Sequence, residues 1–443
     1  MNLRTVLALA CLPLLLSSQL VFAESDTLTV DAAVSEAMRD SPSIQQSEAA
    51  LGENKWKNTE AFGAGFLPKV SVGFNHYFKE EYEDTSINFG GTFLDLPGAY
   101  STNELVVSAS IPIFNGFSSY NRLKAASLTQ SASEQEHERN KFLLAQDVRL
   151  AFYQALAAAD LQNVAQQNVK TLEDHLKEVD IQRSGGSATK YDTLRVSVQL
   201  SEARADAIDA DDNVNLTRKK LTALLGKEED NRPLVGSLPV PDVTGLKDLE
   251  LSGTPVDRSD IQALELRSEA ADHLHSAQKT WIIPSVSLGG QFNYYDEMIE
   301  STIDGSVNSS GDYKPAYNVG VFFTWNLFDG GVSYAKSREA DYQEVQAARQ
   351  VDQARIQVPY DFTFWKKRFL ANTDHYQARK YDVDRSEESV RLAKEEERAG
   401  TRTSTETLDA ELDLFRSKAG VVNAQLNALE ARIRLEVALG RTL

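Results

Sequence analysis

The two halves of this 443-residue chain repeat one another at an offset of 214 residues. Phe114-Asn115-Gly116-Phe117 recurs as Phe328-Asp329-Gly330-Gly331, and Gly186 recurs as Gly400. Leu194 and Leu200 recur as Leu408 and Leu414, and Leu224-Leu225-Gly226 recurs as Ala438-Leu439-Gly440. Leu67-Pro68 and Ile283-Pro284 pair at 216. Periods of about 20 to 50 residues build solenoids, whereas one this long duplicates a whole structural unit. Each copy reads strand, loop, strand, very long helix, tight turn, long helix. The first copy spans residues 24–226 and opens on an N-terminal helix; the second spans 258–443. Between them, residues 227–257 carry Pro233, Pro239, Pro241 and Pro255, a linker that is not helical throughout.

Arg4, the apolar run from Val6 to Leu16 and the small residues at Val21-Phe22-Ala23 read as a secretory signal peptide over residues 1–23. Cys11 is the only cysteine and lies inside that run, so the mature chain has no disulfide and no thiolate metal site. Removing the signal leaves 45 Lys+Arg against 65 Asp+Glu, a net charge of −20 that excludes nucleic acid as a partner. No other apolar run approaches the roughly 18 residues of a transmembrane helix. A barrel remains possible, because it satisfies its backbone between strands and shows only every second side chain to lipid.

Four segments have that alternation, at about 69–82, 103–114, 285–297 and 316–328. Val70, Val72, Phe74 and Phe78 alternate with Ser71, Gly73, Asn75 and Tyr77. Leu105, Val107, Ala109, Ile111 and Ile113 alternate with Glu104, Ser108, Ser110 and Pro112, with Val106 the exception. Val286, Leu288, Phe292 and Tyr294 form the third apolar set, and Tyr317, Val319, Val321, Phe323, Trp325 and Leu327 the fourth. A half-buried soluble sheet has the same period of two. The small polar residues of the opposite face, and aromatic residues crowding the strand ends, favour a membrane sheet with interfacial girdles. Residues 83–101 and 299–315, rich in Gly, Ser, Asn and Asp, read as exposed loops.

Helices are predicted over 118–183, 187–226, 258–282, 332–398 and 401–440. The two longest would each extend roughly 100 Å at about 1.5 Å per residue, and such helices must pack along partners. In the last helix Leu408, Leu412, Phe415, Ala419, Val422, Leu426, Leu429 and Ile433 step by alternating fours and threes, a coiled-coil seam. The first copy has Ser201, Asp212 and Asn215 where the second has Phe415, Leu426 and Leu429, which places the hairpins in different environments. Pro359, at the position of Ala145 in the first copy, predicts a bend near Val358.

Gly400-Thr401-Arg402-Thr403 followed by Leu408-Asp409-Ala410, with Asp257-Arg258-Ser259-Asp260-Ile261 and Trp325-Asn326-Leu327-Phe328-Asp329-Gly330-Gly331, resembles TolC-type outer-membrane efflux proteins. The resemblance covers nearly the whole mature chain. It implies an α+β membrane protein in which each chain gives four transmembrane strands to a trimeric twelve-stranded β-barrel, continued by long helical hairpins into a periplasmic α-barrel. Elementary physics requires the oligomer, since four strands close no transmembrane barrel; the number three comes from the family. The resemblance further implies a periplasmic gate in which Arg402 pairs with Asp192 while Glu406 and Asp409 supply rings of lumen-facing acids. Glu406 replaces the family's aspartate, and Glu397 stands where a tyrosine is usual. The tips, marked by Gly186, Gly400, Thr401 and Thr403, would dock a periplasmic adaptor (membrane fusion protein).

No catalytic or cofactor motif is present, and His273 and His275, two apart on a helix, cannot share a metal. Two function classes follow. One is a passive homotrimeric exit duct of a tripartite efflux pump or type I secretion system, held in outer-membrane lipid and energised by an inner-membrane transporter of RND or ABC type. The other is a secreted, elongated coiled-coil scaffold without a barrel.

Overall fold

A computed structural model describes residues 27–78, 85–96, 99–244, 246, 258–303 and 306–443. The proposed signal peptide lies outside them. In chain order the elements are α1 (Val30–Asp40), α2 (Pro42–Phe66), β1 (Lys69–His76), β2 (Thr85–Phe89), β3 (Thr92–Leu96), β4 (Ala99–Phe114), α3 (Ser118–Ser184) and α4 (Lys190–Leu224). They continue with α5 (Ser259–Lys279), β5 (Ser285–Ile303), β6 (Ser306–Thr324), α6 (Val332–Arg398) and α7 (Ser404–Leu439). Among the described residues no helix is long and apolar enough to cross a membrane.

Strands β1, β4, β5 and β6 form one antiparallel sheet in the order β1-β4-β5-β6, so β1 and β6 are its two edges. Register lines up the alternating residues across all four strands. Phe74, Leu105, Tyr294 and Pro315 share one row; Val72, Val107, Phe292 and Tyr317 share the next; Val70, Ala109, Gly290 and Val319 share a third. The intervening rows are Gly73, Val106, Asn293 and Ala316, then Ser71, Ser108, Gln291 and Asn318. The first set makes one face continuously apolar and the second makes the other face small and polar. Val106 and Phe322 break the alternation: both fall on the polar face, Val106 between Gly73 and Asn293, where neither neighbour excludes a valine, and Phe322 opposite Ser287. Val70, Val72, Phe74, Val319, Val321 and Phe323 are all exposed, so nothing among the described residues covers the apolar face.

Two predicted loops are instead paired structure. Within 83–101, β2 and β3 form a hairpin around Gly90 and Gly91, both at positive φ, the two-residue turn whose twist matches antiparallel strands. Residues 299–303 and 306–315 extend β5 and β6, whose pairing runs unbroken from Ser285 opposite Thr324 to Ile303 opposite Ser306. Polar composition hid the outer parts of β5 and β6, because an established ladder continues through residues of low β preference; β2 and β3 form a separate two-stranded sheet whose signal, Ile87, Phe89, Phe93, Leu94 and Leu96 around Gly90-Gly91, was present in the sequence. Conversely, β6 ends at Thr324 and β1 at His76, short of the predicted 328 and 82. Residues 79–82 lie outside the described set. Trp325 follows β6 and donates its indole N–H to the Ile282 carbonyl (3.2 Å).

At the sheet-to-helix junctions the repeat is chemical. Asn115 Oδ1 accepts the Ser119 N–H (3.2 Å), and Asp329 Oδ2 accepts the Ser333 N–H (3.0 Å) and its hydroxyl (2.6 Å). Each satisfies one of the donors that a helix N-terminus leaves free. Both long helices have 67 residues, hence about 100 Å each. Pro359 lies inside α6, which stays helical on both sides of it; proline removes a backbone donor without ending the helix.

The main core lies along the helices, away from the sheet. It joins Ala33 and Ala37 of α1, Leu144, Val148 and Phe152 of α3, Leu221 of α4 and Leu429 of α7. The linker packs here too: Leu28 bridges Leu234 in parallel, and Arg232 chelates Asp230 and Glu36, holding both carboxyls below their ordinary range. At the end of α7, Arg258 donates to the Ala438 carbonyl (3.2 Å) and Arg139 to that of Val437 (3.1 Å). Two cations therefore close the negative end of the helix dipole. The α7 seam is buried at Leu408, Leu429 and Ile433 but only half-buried from Leu412 to Leu426, while Ser201, Asp212 and Asn215 of α4 face solvent. α7 packs on both α6 and α3, and α4 mainly on α3, which is the asymmetry between the hairpins.

Candidate functional site at the hairpin tips

The two hairpin turns close by the same construction. Ser187 N donates to Gln182 O (2.8 Å) and Thr401 N to Glu396 O (2.9 Å), each across a glycine in the left-handed region: Gly186 at φ 83° and Gly400 at φ 73°. A Cβ at either glycine would meet nothing within 4 Å, so it is the backbone conformation that demands glycine there. Both return helices then start on a capping box. Thr189 Oγ1 accepts the Asp192 N–H while Asp192 Oδ2 accepts the Thr189 N–H (2.8 Å) and hydroxyl (2.7 Å). Thr403 and Glu406 repeat the arrangement, with Glu406 Oε2 accepting both Thr403 donors at 2.9 Å.

Asp192 and Glu406 thus occupy equivalent positions in the two copies, each as the reciprocal acid of a helix cap. The structure does not bring Arg402 and Asp192 together within one chain. Arg402 Nε lies 3.4 Å from Glu396 Oε2, and Asp192 turns to Thr189 because the cap satisfies two donors at once. Both cap bonds fall on Oδ2 of Asp192. Asp409, expected as a lumen acid, pairs with Arg195 Nη2 at 3.0 Å. Thr401 returns its hydroxyl to the Glu396 carbonyl (3.0 Å). Glu397, in place of the family's tyrosine, accepts from Gln182 Nε2 (3.1 Å) and so ties α6 to α3.

Two contacts at this end were not read from the sequence. Arg195 is itself the repeat equivalent of Asp409, at the 214-residue offset, so the duplication carried a signal for that pair. The second is a buried cluster: His175 of α3 sets Nδ1 2.9 Å from Glu411 Oε2 and Nε2 2.9 Å from Ser404 Oγ, while Lys394 of α6 sets Nζ 2.8 Å from Glu411 Oε1. The serine hydroxyl can take either role toward Nε2. Glu411 is 4% exposed, and neither approach to its oxygens follows a hydrogen-bond direction, which leaves charge attraction as the main bond. This cluster fastens the first hairpin to the second.

The caps give a pH response with a definite sign. Asp192 is held below its ordinary carboxyl range by the Thr189 hydroxyl and then its N–H, and Glu406 by the Thr403 N–H and then its hydroxyl. A depressed carboxyl stabilises the folded form above its unfolded pKa, and the contribution disappears as pH falls through the folded value. The starts of α4 and α7 should therefore hold at neutral pH and fray as pH drops below about 4. Corrected for intrinsic rate, amide exchange at Asp192 and Glu406 should speed up there; unchanged protection at pH 3 would rule the caps out as the stabilising contact.

The geometry is a four-stranded sheet with a bare apolar face, joined to two long helical hairpins with closed tips. A family model described as outer membrane efflux protein matches residues 33–227 and 255–441. The chain is 20% identical over 416 residues to the outer membrane protein TolC of Escherichia coli, covering 91% of this chain and 80% of that one. The match to TolC of Vibrio cholerae is also 20% identical and spans 66% of each chain. The alkaline protease secretion protein AprF of Pseudomonas aeruginosa is 23% identical, with 89% and 81% covered. In fold, the outer membrane protein VceC of Vibrio cholerae superposes with a TM-score of 0.74 at 17% identity, covering 93% of this chain and 96% of that one. These matches, with the uncovered sheet face, disfavour the secreted-scaffold reading. The chain belongs to the outer membrane efflux protein family and is an outer-membrane export channel.

Proposed function

We propose that the protein is the passive exit duct of an export assembly, in which three copies close one barrel through their β1 and β6 edges and one tunnel through their helices. The open-edged sheet with one apolar face carries this reading, because an isolated four-stranded sheet in lipid would leave two rows of backbone groups unpaired. The half-buried stretch of the α7 seam provides apolar surface for a neighbouring copy. An adaptor of the membrane-fusion type docks at the tips, around Gly186, Gly400, Thr401 and Thr403, and links the duct to an RND- or ABC-type transporter. Relatives are named for alkaline protease secretion, pyoverdine export and antibiotic efflux, and a duct serving such different cargo is most simply a passive one.

At the tip, Arg402 and the Arg195–Asp409 pair hold the closed state, with Oδ1 of Asp192 on a neighbouring copy as the further acceptor for Arg402. Glu406 and Asp409 supply negative charge to the tunnel mouth. The cap keeps Glu406 ionised at neutral pH, whereas Arg195 offsets part of Asp409. Glutamine still completes a capping box, so Glu406→Gln removes charge while preserving the turn.

Planar-bilayer recording from the purified oligomer tests the reading. Wild type should conduct as a single pore, Glu406→Gln should weaken cation selectivity more than Asp409→Asn does, and Arg402→Ser should raise conductance several-fold. The exposed Arg402–Glu396 pair alone is worth at most about 1 kcal/mol. Unchanged conductance in Arg402→Ser would therefore reject an inter-copy lock at Asp192, and absence of any pore would reject the duct.

A further inference from the structure

We propose that His275, Asp341 and Glu344 form a site for one divalent cation of the zinc class, clasping α5 to α6 near the sheet. His275 Nδ1 contacts Glu344 Oε2, Nε2 lies 4.0 Å from Asp341 Oδ1, and one ligand atom from each residue falls within 4.8 Å of the others. Metal–ligand bonds of about 2.0–2.2 Å put tetrahedral ligand atoms roughly 3.4 Å apart, and since an imidazole offers an ion one nitrogen, the carboxylate now beside the other nitrogen must swing toward it for the site to close.

The placement is specific. Asp341 and Glu344 are three apart and share one side of α6, where small buried Ser337 and Ala340 leave room for the close approach of α5. His275 is only 6% exposed, so its ring is fixed in that interface. Arg338 Nη1 bonds Asp341 Oδ2 at 2.6 Å, which orients the carboxylate and leaves Oδ1 toward the imidazole. A groove of about 420 Å³ reaches Glu344 and is lined by Glu265, Glu269, Asp272, Asp352 and Arg355, four further carboxylates to one guanidinium. His273 takes no part, since its Nδ1 meets Asn121 Oδ1 at 3.0 Å. Imidazole with two carboxylates suits zinc and its neighbours better than calcium or magnesium, which prefer all-oxygen sites. The site lies within one chain and does not require that three copies assemble.

Calorimetric titration of zinc chloride into the detergent-solubilised full chain, stripped with chelator, tests this, with cobalt absorption reporting imidazole–carboxylate ligation. One zinc per chain should bind saturably. His275→Ala and Glu344→Gln should each weaken binding by roughly a hundredfold, whereas Asp272→Asn, in the same groove but outside the donor set, should leave affinity and stoichiometry unchanged. Glu344 is half-exposed, so its variant tests the site even if the buried histidine is needed for folding. No saturable uptake, or affinity unchanged in Glu344→Gln with the oligomer intact, overturns the site.

Discussion

Glu411→Ala should open the channel several-fold in conductance while leaving the oligomer intact. The carboxylate is buried at the junction of α3, α6 and α7, with His175 Nδ1 at 2.9 Å and Lys394 Nζ at 2.8 Å. Removing one member of a buried ionic group costs about 3 to 5 kcal/mol, because the remaining partners stay desolvated without compensation. The low end applies here, since Lys394 is 39% exposed and can turn its ammonium to water. At about 1.4 kcal/mol per factor of ten, even 3 kcal/mol would move a closed-to-open ratio by more than a hundredfold. The contribution is local to the hairpin junction, remote from the sheet, so membrane insertion should not suffer. Glu411→Gln keeps the volume and a polar group at the junction but loses the charge, and should fall between wild type and alanine. Hydrogen exchange over residues 404–411 should accelerate in the same order. Conductance and protection equal to wild type in Glu411→Ala would show that the cluster fills space without holding the hairpins together.

The duplication made the architecture legible because it constrains both copies at once: Gly186 and Gly400, the capping threonines and the Asn115 and Asp329 junctions each solve one local problem twice. Strand faces were equally legible, since a period of two survives without knowledge of the partners. What escaped was pairing. The outer parts of β5 and β6 have loop-like composition, and only the ladder makes them strands, whereas β2 and β3, with Ile87, Phe89, Phe93, Leu94 and Leu96 around Gly90-Gly91, had a hairpin pattern that the glycine- and serine-rich surroundings masked. At the tips, family resemblance pointed to Arg402 with Asp192, but local capping takes Asp192 first and Glu396 lies nearer Arg402. His175 and Glu411 are not repeat equivalents and share no motif. Only the packing of α7 against α3 brings them together, and no single-segment pattern encodes that.

A charge placed on the apolar face of the sheet should prevent assembly, and the same charge on the opposite face should not. Val319 is exposed in the middle of the apolar band of β6, in the row of Val70, Ala109 and Gly290. Asn318, its chain neighbour, falls in the row of Ser71, Ser108 and Gln291. If the apolar rows meet lipid, Val319→Arg carries a guanidinium into hydrocarbon at about 2 to 4 kcal/mol per chain near the bilayer midplane. That penalty recurs in every copy of the oligomer. Asn318→Arg would instead face a water-filled lumen, where a charge stays hydrated and alters ion selectivity more than stability. Outer-membrane yield of heat-sensitive oligomer should therefore collapse for Val319→Arg and remain near wild type for Asn318→Arg. The reverse pattern would mean the two faces are assigned the wrong way round. Full yield from both would mean that this sheet does not sit in lipid, because no hydrocarbon-facing strand accommodates an arginine at its centre without cost.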